Sequence, residues 1–365
     1  MICAVVFVFA YTIYAASSVK ACGTLFQTVL GVDPRISMCI AAVVIVGYTF
    51  LGGFSAVCWT DFFQSLLILG AMMLAPIISL VMANGQFSVL EGEGAANFWN
   101  AFGDPKDIIS GLGWGIGYFG MPHIIIRFMS LKSDRELKKS AKIGISWTVI
   151  VLILAAVIGI LGRFSMGYDA EVAAGEKVFI QMVRNLPAVV SGVFLSAILA
   201  ASMSTADSQL LAASSSFASD VYKPIIKKGK VSDQTMVAVG RLVILVIAAI
   251  ALAVALIPGT GNIMSLVSNA WGVFGAAFGP AIMLSLYWKR FTYSGAVAGI
   301  VAGALTDIGF LVLGKVGVIP ASLCIYEIIP GAIVGLVAAI IVTLSGKKPS
   351  KEVEQLFDEA VAYTD

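Results

Sequence analysis

Charge is scarce in this chain: Asp, Glu, Lys and Arg make up 12% of its 365 residues, about half the roughly 25% usual in soluble proteins. There is one histidine, and the five cysteines (Cys3, Cys22, Cys39, Cys58 and Cys324) are odd in number with no CxxC pair. That excludes a metal cluster and a disulfide framework, and the cysteines read as small buried hydrophobes. A formal net charge of +2 leaves no basic footprint for nucleic acid. What the chain has is apolar surface, at 59% hydrophobic residues and a mean hydropathy of +0.97. Apolar tracts near twenty residues recur along its length, the mark of an all-α polytopic membrane protein.

Ten such tracts predict ten transmembrane helices: 1–19, 36–57, 59–84, 108–130, 143–167, 187–217, 236–257, 263–288, 293–314 and 323–345. The tract 187–217 is too long for a straight crossing, so it tilts, kinks or emerges into water. Backbone groups in lipid must bond within their own segment, and the alternation of a barrel is missing, so helices are the expected solution. Residues 1–346 thus form a transmembrane domain and 347–365 a charged tail. Orientation follows from the connections. Loop 127–142 carries Arg127, Lys132, Arg135, Lys138, Lys139 and Lys142, and loop 218–235 carries four lysines. Both are expected in the cytoplasm, with Lys289, Arg290 and the C-terminal tail. The acidic connection 85–107 and the uncharged 258–262 belong outside. Met1 opens directly into an apolar run without a charged flank or small-residue cleavage site, unlike a signal peptide. The expectation is an abrupt start or a chain whose earlier helices are missing.

Two tracts are unusual. In GLGWGIGYFGMPH (111–123), Trp114, Tyr118 and Pro122 recur every four residues and so share one helical face. Pro122 cannot donate a hydrogen bond and disrupts the turn ending at Tyr118, which predicts a kink at membrane depth. Two amphipathic aromatics beside a weakened backbone suit a small zwitterionic or apolar ligand; an interfacial aromatic belt is the competing reading. The glycines of this tract, and Gly272, Gly275 and Gly279, are read as close helix–helix contacts.

The other tract is LSAILAASMSTADSQLLAASSS (195–216), rich in hydroxyls and carrying Asp207. Ser204, Asp207 and Ser208 lie on one face, with Thr205 beside it and Ala201 one turn earlier. A carboxylate within a span costs at least ~2.5 kcal/mol, so it should face a polar cavity, a cation or a partner. Hydroxyl oxygens with a backbone carbonyl suit a hard monovalent cation such as Na⁺. If Asp207 lies near the cytoplasmic end, a cap or a lysine pair is the alternative. Asp61 reads as a solvated or capping carboxylate at a helix start, and His123 as a hydrogen-bonded bystander.

YTFLGGFSAVCWTDFFQ (48–64), GWGIGYFGMPHIIIRFM (113–129) and SAILAASMSTADSQLLAASSS (196–216) carry a resemblance that runs in order along the chain. They resemble the sodium:solute symporter family, and within it the proline-transporting branch. The resemblance implies two inverted five-helix repeats with further helices around them. It places residue 1 in the family's fourth span, so three preceding helices would be absent. It also implies a sodium site made by Ser204, Thr205 and the carbonyl of Ala201, completed by a helix outside this chain. Trp114, Tyr118 and Pro122 would line the substrate pocket, with Tyr14 as a further substrate-side aromatic. Met121 departs from the branch, where Gln is usual before that proline, which puts strict proline specificity in doubt. Asp207 and Ser208 would mark a second cation site or a structural pair.

The implied function is sodium-coupled secondary transport of a small organic solute, most simply L-proline, across the plasma membrane. No cofactor beyond the coupling ion and no enzyme activity is expected. The open alternatives are another solute (a vitamin, sugar or carboxylate), proton coupling, or a sensor or channel on the same scaffold.

Overall fold

The computed structural model describes residues 1–82, 103–166 and 175–362, and every regular element among them is helical. In chain order these are α1 (Ile2–Leu30), α2 (Pro34–Met82), α3 (Pro105–Gly120), α4 (Pro122–Met129), α5 (Asp134–Met166), α6 (Val178–Arg184) and α7 (Ala188–Ser216). They continue with α8 (Asp233–Leu256), α9 (Ile263–Tyr287), α10 (Tyr293–Lys315), α11 (Ile328–Ser345) and α12 (Lys351–Ala362). Among the described residues, eight helices are long and apolar enough to cross a membrane, and Pro34–Phe50 is a shorter apolar one. The described parts of the ten expected tracts fall mostly on helix, but not as ten single crossings. The acidic residues Glu91 and Glu93 of the expected outer loop lie outside the described residues.

Three departures stand out, two of them with a local cause. The boundary expected near residue 58 falls at Gly53, whose φ of 65° and ψ of −172° break α2; glycine reaches that region without a Cβ penalty. The first tract extends eleven residues further than expected, to Leu30, so the connection 20–35 is mostly helix. The tract 187–217 continues through a π-helical segment, Phe217–Ile226. Pro224 lies inside it, and its ring, which in an α-helix clashes with the carbonyl four residues earlier, disfavours the α ladder there. The cysteine expectation holds only for Cys22, since Cys3 and Cys39 are exposed and Cys58 and Cys324 intermediate, all five being free thiols. In a membrane protein the outer surface is itself apolar, so exposure does not penalise them.

The chain divides into two compact units. Unit 1 comprises Met1–Ala10, Phe102–Ile125 and Val267–Asp365; unit 2 comprises Tyr11–Ala101 and Ile126–Leu266. In unit 1, α10 packs along α11 through glycines at four-residue spacing. A Cβ on Gly299 would lie 3.0 Å from the Gly335 carbonyl, and one on Gly335 would lie 3.2 Å from the Gly303 Cα. Small residues at this spacing let backbones touch, which is what drives helix association in lipid. Phe7 packs on Phe278 with ring centroids 4.5 Å apart, around the fully buried Phe274. In unit 2, Ala71 and Ala75 of α2 pack with Val183, Leu186, Phe194 and Ala197. Large apolar side chains such as Val43, Val189 and Leu242 point outward in the open, as a lipid-facing surface requires.

Candidate functional site

The hydroxyl-rich segment lies within α7, in unit 2. Ala201, Ser204 and Thr205 are half-buried on consecutive turns. Thr205 Oγ1 donates to the Ala201 carbonyl at 3.0 Å, the back-bond open to a helical threonine. Each oxygen keeps a lone pair, so the pair is a set of hard donors preassembled by one helix turn. The Tyr48 hydroxyl donates to the neighbouring Met203 carbonyl at 2.9 Å.

Asp207, three residues on, is 0% exposed, and neither carboxylate oxygen has a hydrogen-bond partner among the described residues. It is neither a helix cap nor a partner of a lysine, because α7 runs nine residues past it and no ion pair includes it among the described residues. Ser208 does have partners. Its hydroxyl donates to Asp61 Oδ2 at 3.4 Å and accepts from Arg127 Nη2 at 2.9 Å. Arg127 also forms an ion pair with Asp61 directly.

That arrangement corrects the reading of Asp61. It is not a solvated cap but a buried side chain, 9% exposed, tied by an ion pair to Arg127 and sharing Ser208 with it. Charge in a low-dielectric setting is retained when it is paired and hydrogen-bonded. The signal was present, because Asp61 is the one acidic residue of its apolar tract. Its partner was hidden among the cations assigned to the loop 127–142. Tyr14, on α1 in unit 2, is half-buried, and its carbonyl accepts from Ser17 Oγ at 2.6 Å.

The aromatic residues form a cluster inside unit 1. Trp114 stands 5.8 Å from Trp271 and 5.3 Å from Tyr326, and Tyr118 meets Trp271 edge-on at 4.9 Å. Trp271 Nε1 donates to the Trp114 carbonyl at 3.0 Å, and the Tyr326 hydroxyl to the Ser268 carbonyl at 2.8 Å. The rings are thus anchored at their polar ends, while Tyr118 remains 48% exposed. Sequence spacing missed Trp271 and Tyr326, which lie far along the chain. The glycines beside Trp271 were the available clue, since Gly117 leaves the space its indole fills.

Pro122 does not share a continuous helix with Trp114 and Tyr118. The helix stops at Gly120, Met121 is extended (φ −80°, ψ 108°), and Pro122 opens α4. The cause is the restriction a proline places on the residue before it, which drives Met121 out of the α region. The expected kink is therefore a break, and the fully buried Met121 is its pivot. The glycine expectation also divides. Gly113, Gly117 and Gly120 meet neighbours that a Cβ would strike, whereas Gly111 and Gly115 meet nothing within 4 Å.

The sodium:solute symporter family model matches residues 1–303. The chain belongs to that family. It is 38% identical over 363 residues to the osmoregulated proline transporter OpuE of Bacillus subtilis, covering 98% of this chain and 73% of that one. It is 41% identical over 353 residues to the sodium/proline symporter of Staphylococcus aureus, covering 94% and 69%. Among solved structures, a substrate-bound, outward-open Na⁺-coupled sialic acid symporter matches with a TM-score of 0.71. It is 20% identical and covers 96% of this symporter-family chain and 75% of that one; at that identity the likeness is one of fold. The family assignment agrees with an all-helical, multi-pass membrane protein.

Proposed function

We propose that this chain is the transport body of a sodium-coupled importer of a small organic solute, L-proline being the favoured substrate. The observation that carries the reading is the oxygen set of Ala201, Ser204 and Thr205 on adjacent positions of one membrane helix, in a chain whose similar proteins are named for proline and sodium. Sodium is a co-transported substrate here, held by the two hydroxyls and the Ala201 carbonyl. Trp114, Tyr118, Pro122 and Tyr14 are the proposed solute-side groups, with lipid around the outside. Asp207 and Ser208 are proposed as a second cation position, supported by the unpartnered Asp207 carboxylate. The proposed setting is the plasma membrane with the tail in the cytoplasm, as the distribution of Lys and Arg suggests.

The mechanism is coupled binding. Sodium and solute each favour the same conformational state, because a ligand that binds both states equally shifts nothing. One charge moving down ~100 mV is worth about 2.3 kcal/mol, and a tenfold sodium gradient adds about 1.4 kcal/mol. At one sodium per solute, the combined drive of roughly 3.7 kcal/mol supports about 500-fold accumulation. No covalent step is involved, so the reading is not that of an enzyme.

Met121 supplies the second reading, a different solute on the same scaffold. Competition of unlabelled solutes against labelled proline in proteoliposomes separates the two. Proline, if it is the substrate, competes at the lowest concentration, while a vitamin, sugar or carboxylate that outcompetes it replaces proline in this account. Met121→Gln is the substitution expected to raise proline preference.

A further inference from the structure

Unit 1 holds two buried carboxyl groups that no transport role above uses. Asp307 lies within α10 and is 0% exposed, with neither oxygen hydrogen-bonded among the described residues. It is pressed against backbone: a Cβ on Gly272 would lie 2.7 Å from Oδ1 and 3.4 Å from Oδ2, and one on Gly331 would lie 3.0 Å from the Asp307 Cβ. Gly331 stands one turn beyond Glu327 on α11, its N–H donating to the Glu327 carbonyl at 3.1 Å. Glu327 is itself 9% exposed, and its Oε1 has no hydrogen-bond partner among the described residues.

Among the described residues, no ion pair brings a countercharge to this pair. From α9 comes Gly272, with the apolar Ala276 against Gly331, and from α11 comes Gly331, with Glu327 just ahead of that helix. The nearby donors are engaged elsewhere, Trp271 Nε1 with the Trp114 carbonyl and the Tyr326 hydroxyl with the Ser268 carbonyl. Lys315, on the same helix, lies eight residues past Asp307 and so about 12 Å along the helix axis. Among the described residues, the ion pairs of unit 1 are Lys106–Asp104 and Lys289–Asp358, which involve neither carboxyl. An ionised carboxylate with no partner in an apolar, membrane-buried setting is strongly disfavoured against its neutral form. An alkali ion would need a shell of several oxygens, and Gly272 and Gly331, which press against Asp307, bring no side-chain oxygen.

We propose that Asp307, beside Glu327, is a proton-binding site in unit 1, Asp307 holding the proton at neutral pH. Proton binding here adds one positive charge to unit 1 without any change at the Ser204–Thr205 segment. It therefore stands apart from the sodium reading and survives or fails separately from it.

The test is infrared spectroscopy of the full chain in liposomes at neutral pH, comparing wild type with Asp307→Asn and Asp307→Glu. The wild type should show the carbonyl stretch of a protonated carboxylic acid that Asp307→Asn lacks and that Asp307→Glu retains at a shifted frequency. If Asp307→Asn does not fold, as judged by its elution and melting, the shift in Asp307→Glu carries the test alone. Identical spectra of wild type and the variants in this region would overturn the proposal. Loss of the wild-type band on adding sodium at fixed pH would also overturn it, because a metal ion would then be the occupant.

Discussion

Ser204 and Thr205 stand side by side but are bound differently. Thr205 already returns its hydroxyl hydrogen to the Ala201 carbonyl, so Thr205→Ser should keep sodium activation while Thr205→Ala weakens it. Loss of one oxygen donor costs about 1–1.5 kcal/mol. Ser204→Ala and Thr205→Ala should therefore each raise the sodium concentration for half-maximal uptake roughly tenfold, read from labelled-solute uptake against sodium. Asp61 and Arg127 act as a pair. Arg127→Gln leaves a buried carboxylate alone and should destabilise by about 1–3 kcal/mol, below the 3–5 kcal/mol of fully buried pairs because the guanidinium side chain is 45% exposed. Adding Asp61→Asn to Arg127→Gln should recover most of that loss in a melting experiment, and a double variant no more stable than the single would contradict the pairing. The hydroxyl segment was legible at sequence level because polar residues crowd one apolar tract. The Asp61–Arg127 pair was not, since the two are 66 positions apart and each fitted a simpler role.

At the level of elements, hydropathy located the helices, while backbone stereochemistry set their breaks. Met121 and Gly53 show the difference. A proline visibly interrupts 108–130, but whether it bends or ends the helix depends on the conformation of the residue before it. At Gly53 the break rests on a positive φ that no hydropathy profile reports. The α10–α11 contact tests the glycine packing. Gly299→Leu would force a side chain where the Gly335 carbonyl already sits within 3.0 Å of a Cβ. Overpacking of this kind costs about 1–3 kcal/mol, so the melting temperature should fall clearly. Gly111→Leu, with nothing within 4 Å of its Cβ, should leave it nearly unchanged. Equal effects of the two would contradict the contact.

Over the whole molecule, the chain is two units whose members come from separated stretches of sequence, an arrangement that apolar-tract counting does not reveal. The hydroxyl segment belongs to unit 2 and the aromatic cluster to unit 1, so the functional proposal draws on residues of both units rather than on one local motif. The most direct measurement is uptake of labelled proline into proteoliposomes with external sodium present or replaced by choline. Sodium coupling predicts concentrative uptake with sodium and only downhill equilibration with choline. Concentrative uptake that is unchanged in choline would contradict it.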